Sequence, residues 1–121
     1  MKMHLEKSDR LLISGYTPGT IRIDHKDYDR MVLLINASVT ECSFQGSATD
    51  LTIDLFQPLI EQKPDVLILG SGERHQFPPH RLAAELNTFG IALETMTTSA
   101  ACRTYNVLVA EMREVAAALL P

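Results

Sequence analysis

Gly70-Ser71-Gly72 closes one short apolar run, Pro64-Asp65-Val66-Leu67-Ile68-Leu69, and Thr97-Thr98-Ser99 closes a second, Ile91-Ala92-Leu93-Glu94-Thr95-Met96. Residues of these types can present backbone N–H groups to a small anion. Glycine lets the chain turn sharply and approach a ligand closely, and the free N–H groups and dipole of a helix start favour negative charge. If both runs are parallel strands, their carboxyl ends lie side by side, where open α/β sheets place ligand crevices. Arg103 and Asn106 lie three apart in the helix that begins Ser99-Ala100-Ala101-Cys102, so they share a face one turn in. Gly70, Ser71, Gly72, Thr98, Arg103 and Asn106 therefore form a candidate ligand-binding set for a phosphate or carboxylate. The same residues also fit a plain structural reading: a tight strand exit, and a capped helix whose Arg103 and Asn106 bond to neighbouring loops.

No catalytic set is recognisable. The dinucleotide fingerprint fails because residue 75 is His rather than a third Gly, and a P-loop would need Gly-Lys-Ser/Thr. No Ser-His-Asp order, nucleophile elbow or pair of carboxylates stands out. Cys102 lies where a helix dipole can lower a thiol pKa. It has no base or second thiol adjacent in sequence and falls on an apolar stripe, so it reads as a buried small hydrophobe. Two prolines keep His75 and His80 off a common helical face, and nothing completes a zinc set. No metal or cofactor is expected. Glu73, Arg74 and His75 form a polar loop beside the crevice.

The elements that would position these residues follow from periodicity. Leu11-Leu12-Ile13 reads as a short strand, closed by the turn residues Gly15, Pro18 and Gly19, with Tyr16 in the loop. Thr20 to Asp24 alternates, Met31 to Ile35 is a buried-looking strand, and Val39 to Phe44 alternates again. The N-terminal half is thus mostly antiparallel β. Beyond Gln45-Gly46-Ser47-Ala48 the period changes to three or four. Thr52 is a candidate N-cap, with Leu51 and Phe56 as a hydrophobic staple. Pro58 either kinks this helix or opens a second one after a short turn. Pro78-Pro79 starts a helix with Leu82, Leu86 and Phe89 on one face and Gly90 at C′. The strand–helix–strand unit around it should hold two parallel strands. The final helix is expected over about 99–119, with Cys102, Tyr105, Val109, Met112 and Ala116 on its buried stripe. The fold class is α/β: a three-layer single domain over 11–121 after a polar tail at 1–10. Its mixed sheet joins an antiparallel β-rich N-terminal half to a C-terminal β-α-β-α unit.

The 121 residues suit one domain, with 45% hydrophobic content and 15 acids against 11 bases. There is no basic patch for nucleic acid. No run reaches the roughly 20 apolar residues of a membrane span. The N-terminus has no hydrophobic signal core. Two cysteines 60 residues apart, without metal spacing, fit a cytoplasmic protein with reduced thiols.

Phe77-Pro78-Pro79, Gly90-Ile91, Glu94-Thr95-Met96 and Ala100 through Leu108, taken with the run from Pro64 to Gly72 and with Glu111, Arg113 and Val115, carry a family resemblance. Together they resemble the small domain-of-unknown-function family that includes assembly factor 3 of mitochondrial respiratory complex I. The resemblance is strong over 64–120 and weaker over 11–60. It implies a three-layer α/β fold with a mixed sheet, no established reaction, and work by binding other proteins. Ser71 stands where Thr is common, Thr97 where an acid is common, and Ser99 where Arg is common. The tryptophan expected near the end of the β-rich half is replaced by the Cys42 to Phe44 region. The functional expectation is a non-enzymatic interaction or complex-assembly protein, its sheet edges open to strand pairing. The alternative is a small anion-binding domain or enzyme at the carboxyl ends of 65–69 and 91–96. A homodimer follows if Val107, Leu108 and Leu119 form an exposed strip.

Overall fold

A computed structural model of the chain describes residues 12–121; the polar segment 1–10 and Leu11, read above as tail and strand start, lie outside the described residues. Strands β1 (Ile13–Thr17), β2 (Thr20–Ile23) and β3 (Lys26–Tyr28) make an antiparallel three-stranded sheet. Tyr16 therefore belongs to a strand and not to the loop after it. Asp24 and His25 both take positive φ, the two-residue geometry that matches the twist of a hairpin. Strands β4 (Val32–Ile35) and β5 (Ser38–Glu41) pair antiparallel, and β5 stops before Phe44.

Two short 3₁₀ turns, Ala48–Asp50 and Ile53–Phe56, lead into helix α1 (Gln57–Glu61). The alternatives at Pro58 resolve in favour of a turn followed by a helix. Proline sits in the first turn of α1, where its missing N–H costs nothing. Thr52 makes no side-chain cap bond, while Leu51 and Phe56 are buried in one cluster. Strand β6 (Val66–Gly70), helix α2 (His80–Thr88) and strand β7 (Ala92–Met96) follow, with β6 and β7 parallel as the pattern requires. Gly90 takes φ +78°, and Ile91 N–H donates to Leu86 C=O at 3.2 Å, closing α2. Phe89 leaves the apolar face at this cap and is 55% exposed, contrary to its place in the periodic pattern.

The largest departure from the expected fold lies at the C-terminal end. Helix α3 spans Thr98–Ala110 and not 99–119, and β8 (Val115–Leu119) is a separate strand. Met112 at φ +62° ends the helix. Met112 N–H donates to Val109 C=O at 2.9 Å and Arg113 N–H to Leu108 C=O at 3.0 Å, the same capping pattern as at Gly90. Met112 and Ala116 are consequently not on the α3 stripe, whereas Cys102, Tyr105 and Val109 are buried on it. Leu119 is fully buried, so no exposed strip joins it to Val107 and Leu108.

The five-stranded sheet runs β5-β4-β8-β6-β7, with β8 antiparallel to β4 and parallel to β6. On one face, Leu33, Leu67, Leu69, Ala116 and Ala118 pack in a cluster with Phe56, Leu59, Leu82 and Leu86. On the other, Val32, Leu34, Ile68, Ala117 and Leu119 join Cys102, Tyr105 and Val109 of α3 and Ile13, Ile21 and Ile23 of the small sheet. The three layers are α1 with α2, the mixed sheet, and α3 with the small sheet.

Candidate functional site

Register alone brings the two turn signals together. Gly70 of β6 pairs with Met96 of β7 and with Leu119 of β8, so the exits of all three strands meet. Thr98 is fully buried at that point. Its Oγ1 donates to Leu120 C=O at 2.6 Å and accepts from Gly72 N–H at 2.8 Å. Thr98 N–H donates to Gly72 C=O, and Leu120 N–H to Gly70 C=O, each at 2.9 Å. Three of these hydrogen bonds tie the exits of β6 and β8 to the start of α3, and the fourth joins the two strand exits to each other. A Cβ on Gly70 would fall 2.8 Å from Thr98 Oγ1 and 2.9 Å from Thr98 Cα, so only glycine permits this approach.

Ser71 folds the next loop onto itself: Oγ donates to Arg74 C=O at 2.6 Å and accepts from Gln76 N–H at 3.0 Å. Thr97, rather than Thr98 or Ser99, is the N-cap of α3, accepting from Ala100 N–H at 3.2 Å. Asn106 does not point to the strand exits. Its Oδ1 accepts from Ile13 N–H at 3.0 Å and its Nδ2 donates to Ile13 C=O at 2.9 Å, clamping β1 to α3. Arg103 Nη1 donates to Ser99 Oγ at 3.1 Å on the exposed face. Of the six candidates, Gly70, Ser71, Gly72 and Thr98 converge, while Arg103 and Asn106 are directed elsewhere. The single hydroxyl donors of Thr98 and Ser71 are both engaged within the protein.

Electrostatics around the junction favour neutral groups. Burial pushes the Cys102 thiol up to about 11, against only partial opposition from the Arg103 charge and a backbone hydrogen bond. Burial also raises Tyr16, helped by Glu73 and Cys102, and among the described residues the Tyr16 hydroxyl has no hydrogen-bond partner. Among the described residues no group of His, Cys, Asp and Glu is placed to hold a metal ion.

Beside the junction the surface opens. Two adjoining depressions of about 340 and 350 Å³ share Gly46, Leu120 and Pro121. Ser47, Ser71, Gly72, Glu73, Arg74 and Gln76 line the first. Asp29, Arg30, Met31, Cys42 and Phe44 line the second, along with Ser43 and Gln45. The sequence marks no functional residue in the stretch 42–47; its signals there are the alternation up to Phe44, the missing tryptophan at Cys42 to Phe44, and the change of period after Gln45-Gly46-Ser47-Ala48.

Residues 13–120 match the family described as a protein of unknown function (DUF498/DUF598). The chain belongs to this family. The match runs from the start of β1 to the exit of β8, so the family resemblance carried by residues 64–120 extends over the N-terminal half as well. Within reach of the DUF498/DUF598 family, the chain is similar to NADH dehydrogenase (ubiquinone) 1 alpha subcomplex assembly factor 3 of Danio rerio. The two are 32% identical over 98% of this chain and 69% of the fish protein. An uncharacterised protein of Rhodobacter capsulatus is 39% identical over 92% of this chain and 85% of its own length. An NMR structure from Xanthomonas campestris superposes with a TM-score of 0.84 at 30% identity, covering 99% of this chain and 92% of that one. Among the described residues no helix is long and apolar enough to cross a membrane.

Proposed function

We propose that this protein is a non-enzymatic interaction protein that helps assemble a larger complex, as the name of its Danio rerio relative describes for that protein. The observation that carries the reading is the internal use of the candidate site's polar groups. The Thr98 and Ser71 hydroxyls and the Asn106 amide all bond to this chain's own backbone. What remains exposed is suited to contact with another protein. Phe77 is 67% exposed on the loop that Ser71 pins, with its ring centroid 4.6 Å from that of His75. Aromatic residues, Phe among them, are enriched at protein–protein interfaces relative to the rest of the surface. The partner is a subunit or subcomplex of an NADH:ubiquinone oxidoreductase, and the protein acts in the cytoplasmic compartment, where Cys42 and Cys102 stay free.

The test is removal of the protein from its own cells, with assembled NADH:ubiquinone oxidoreductase measured in membranes. The expected result is loss of the assembled enzyme, restored by the wild-type chain. Normal assembly without the protein would overturn the reading. The ligand reading retains one supporting feature, the depression beside Ser71, Gly72 and Arg74. A rise in melting temperature with inorganic phosphate or a small carboxylate would bring that reading forward.

A further inference from the structure

The segment Ser43–Gly46 leaves the sheet with its backbone groups unpaired among the described residues. The β4–β5 ladder continues one step past β5, where Cys42 N–H donates to Met31 C=O at 2.8 Å. From there the chain leaves the sheet. Among the described residues, Ser43, Phe44, Gln45 and Gly46 make no backbone hydrogen bond until Ser47 N–H reaches Asp50 Oδ2 at 3.0 Å. This unpaired stretch forms one wall of the joined depressions, and the chain at Leu120-Pro121 runs along them. Leu120 is already engaged, since its N–H donates to Gly70 and its C=O accepts from Thr98. The Ser43–Gly46 wall, by contrast, has backbone donors and acceptors without partners among the described residues.

Each depression is lined by one acidic and one basic side chain, Asp29 with Arg30 and Glu73 with Arg74. At one end Arg30 is held by Glu41 at 3.7 Å and Asp29 at 4.0 Å. At the other, the Arg74 guanidinium has no ion pair among the described residues and is exposed. Between them lie the buried Met31 and Leu120 and the half-buried Cys42 and Phe44.

We infer that this groove binds an extended segment of another polypeptide, which pairs its backbone with Ser43–Gly46, sets an apolar side chain over Phe44 and Leu120, and turns a carboxylate toward Arg74. A row of free N–H and C=O groups selects an extended chain, because such a chain alone supplies matching groups in series. The apolar floor and the free cation supply side-chain preference. The inference rests on the reading that the protein works by binding other proteins, and it specifies where and in what conformation.

A random-sequence peptide library displayed on phage and selected on the full chain tests it without prior choice of a client. The retained peptide, made synthetically, is expected to slow hydrogen exchange at the amides of Phe44, Gln45 and Gly46 by about ten-fold or more. Gln45→Pro removes one donor at an exposed position that has no partner among the described residues. It is expected to weaken the peptide by about ten-fold with an unchanged melting temperature, while Gln45→Ala binds within about two-fold. Binding that leaves those amides unprotected, a folded Gln45→Pro variant that binds like wild type, or a selection that retains no peptide would each overturn the inference. If Gln45→Pro fails to fold, the exchange result decides alone. Normal enzyme assembly in cells lacking the protein would instead count against the assembly reading, and leave a protected Ser43–Gly46 segment standing.

Discussion

The strand-exit junction and the rim beside it share Gly72, Ser71 and Leu120 as boundary, yet they treat polar groups in opposite ways. At the junction every hydroxyl donor and the nearby amides are spent between β6, β8 and α3. At the rim four consecutive residues make no backbone hydrogen bond among the described residues. The two signals that suggested an anion site, a glycine pair at a strand exit and threonines at a helix start, fell on the first region. A close approach and a hydroxyl can serve a ligand or a fold, and the partners at Thr98 are the fold's own. Function in this chain is better sought where bonding is incomplete.

The contrast is broken most forcefully at Thr98. Thr98→Val keeps the shape and strands the buried partners Gly72 N–H and Leu120 C=O. A loss of about 3 kcal/mol is expected in chemical denaturation, since each stranded group costs about 1–3 kcal/mol. Gly70→Ala, which forces a Cβ against the Thr98 backbone, should cost a similar amount through overpacking, about 2–3 kcal/mol. A change under about 0.5 kcal/mol in both variants would mean that the junction does not hold the strand exits together.

Next comes the buried thiol in the following helical turn. With Cys102 held near 11 in the folded protein and at 9.0 when unfolded, the folded state keeps its proton longer as pH rises. Stability due to this group is full below pH 9 and falls through pH 11, by about 2 kcal/mol. Melts across that range should show this loss, and Cys102→Ala should remove that part of it. An identical pH profile in the variant would place the thiol in a wetter site than its burial shows.

The smallest effect belongs to Arg103, the candidate residue left on the surface. Arg103→Ala removes one exposed hydrogen bond to Ser99 and should change stability by less than about 0.5 kcal/mol. A loss of 1–3 kcal/mol, about the worth of stranded buried partners, would show that Arg103 supports neighbouring structure after all.

Why the site was half legible, and the fold more than half, is clearest at the two ends of α2 and α3. Both helices finish with the same pair of capping bonds, at Gly90 and at Met112. Gly90 announced its turn because glycine is the usual residue in the left-handed region. Met112 gave no such signal, and Ala116-Ala117-Ala118 beyond it have the highest helix propensity of any residue type. Local preference therefore ran the helix through the central strand of the sheet. The strand prevails because β8 is paired on both sides, with β4 and β6, and buried on both faces, a gain that no local window contains. Asn106 illustrates the same limit in the site. Its partner Ile13 lies 93 residues away, beyond any local window. The β6-α2-β7 unit and the buried stripe of α3 were legible because periodicity and turn chemistry specify them locally.

Native-state hydrogen exchange on the free protein tests the contrast most directly. The amides of Gly72 and Leu120 should exchange only through openings close to global unfolding, while those of Phe44, Gln45 and Gly46 exchange at nearly unprotected rates. Slow exchange at the rim, or fast exchange at Gly72 and Leu120, would contradict the division of the molecule into a sealed junction and an open binding edge.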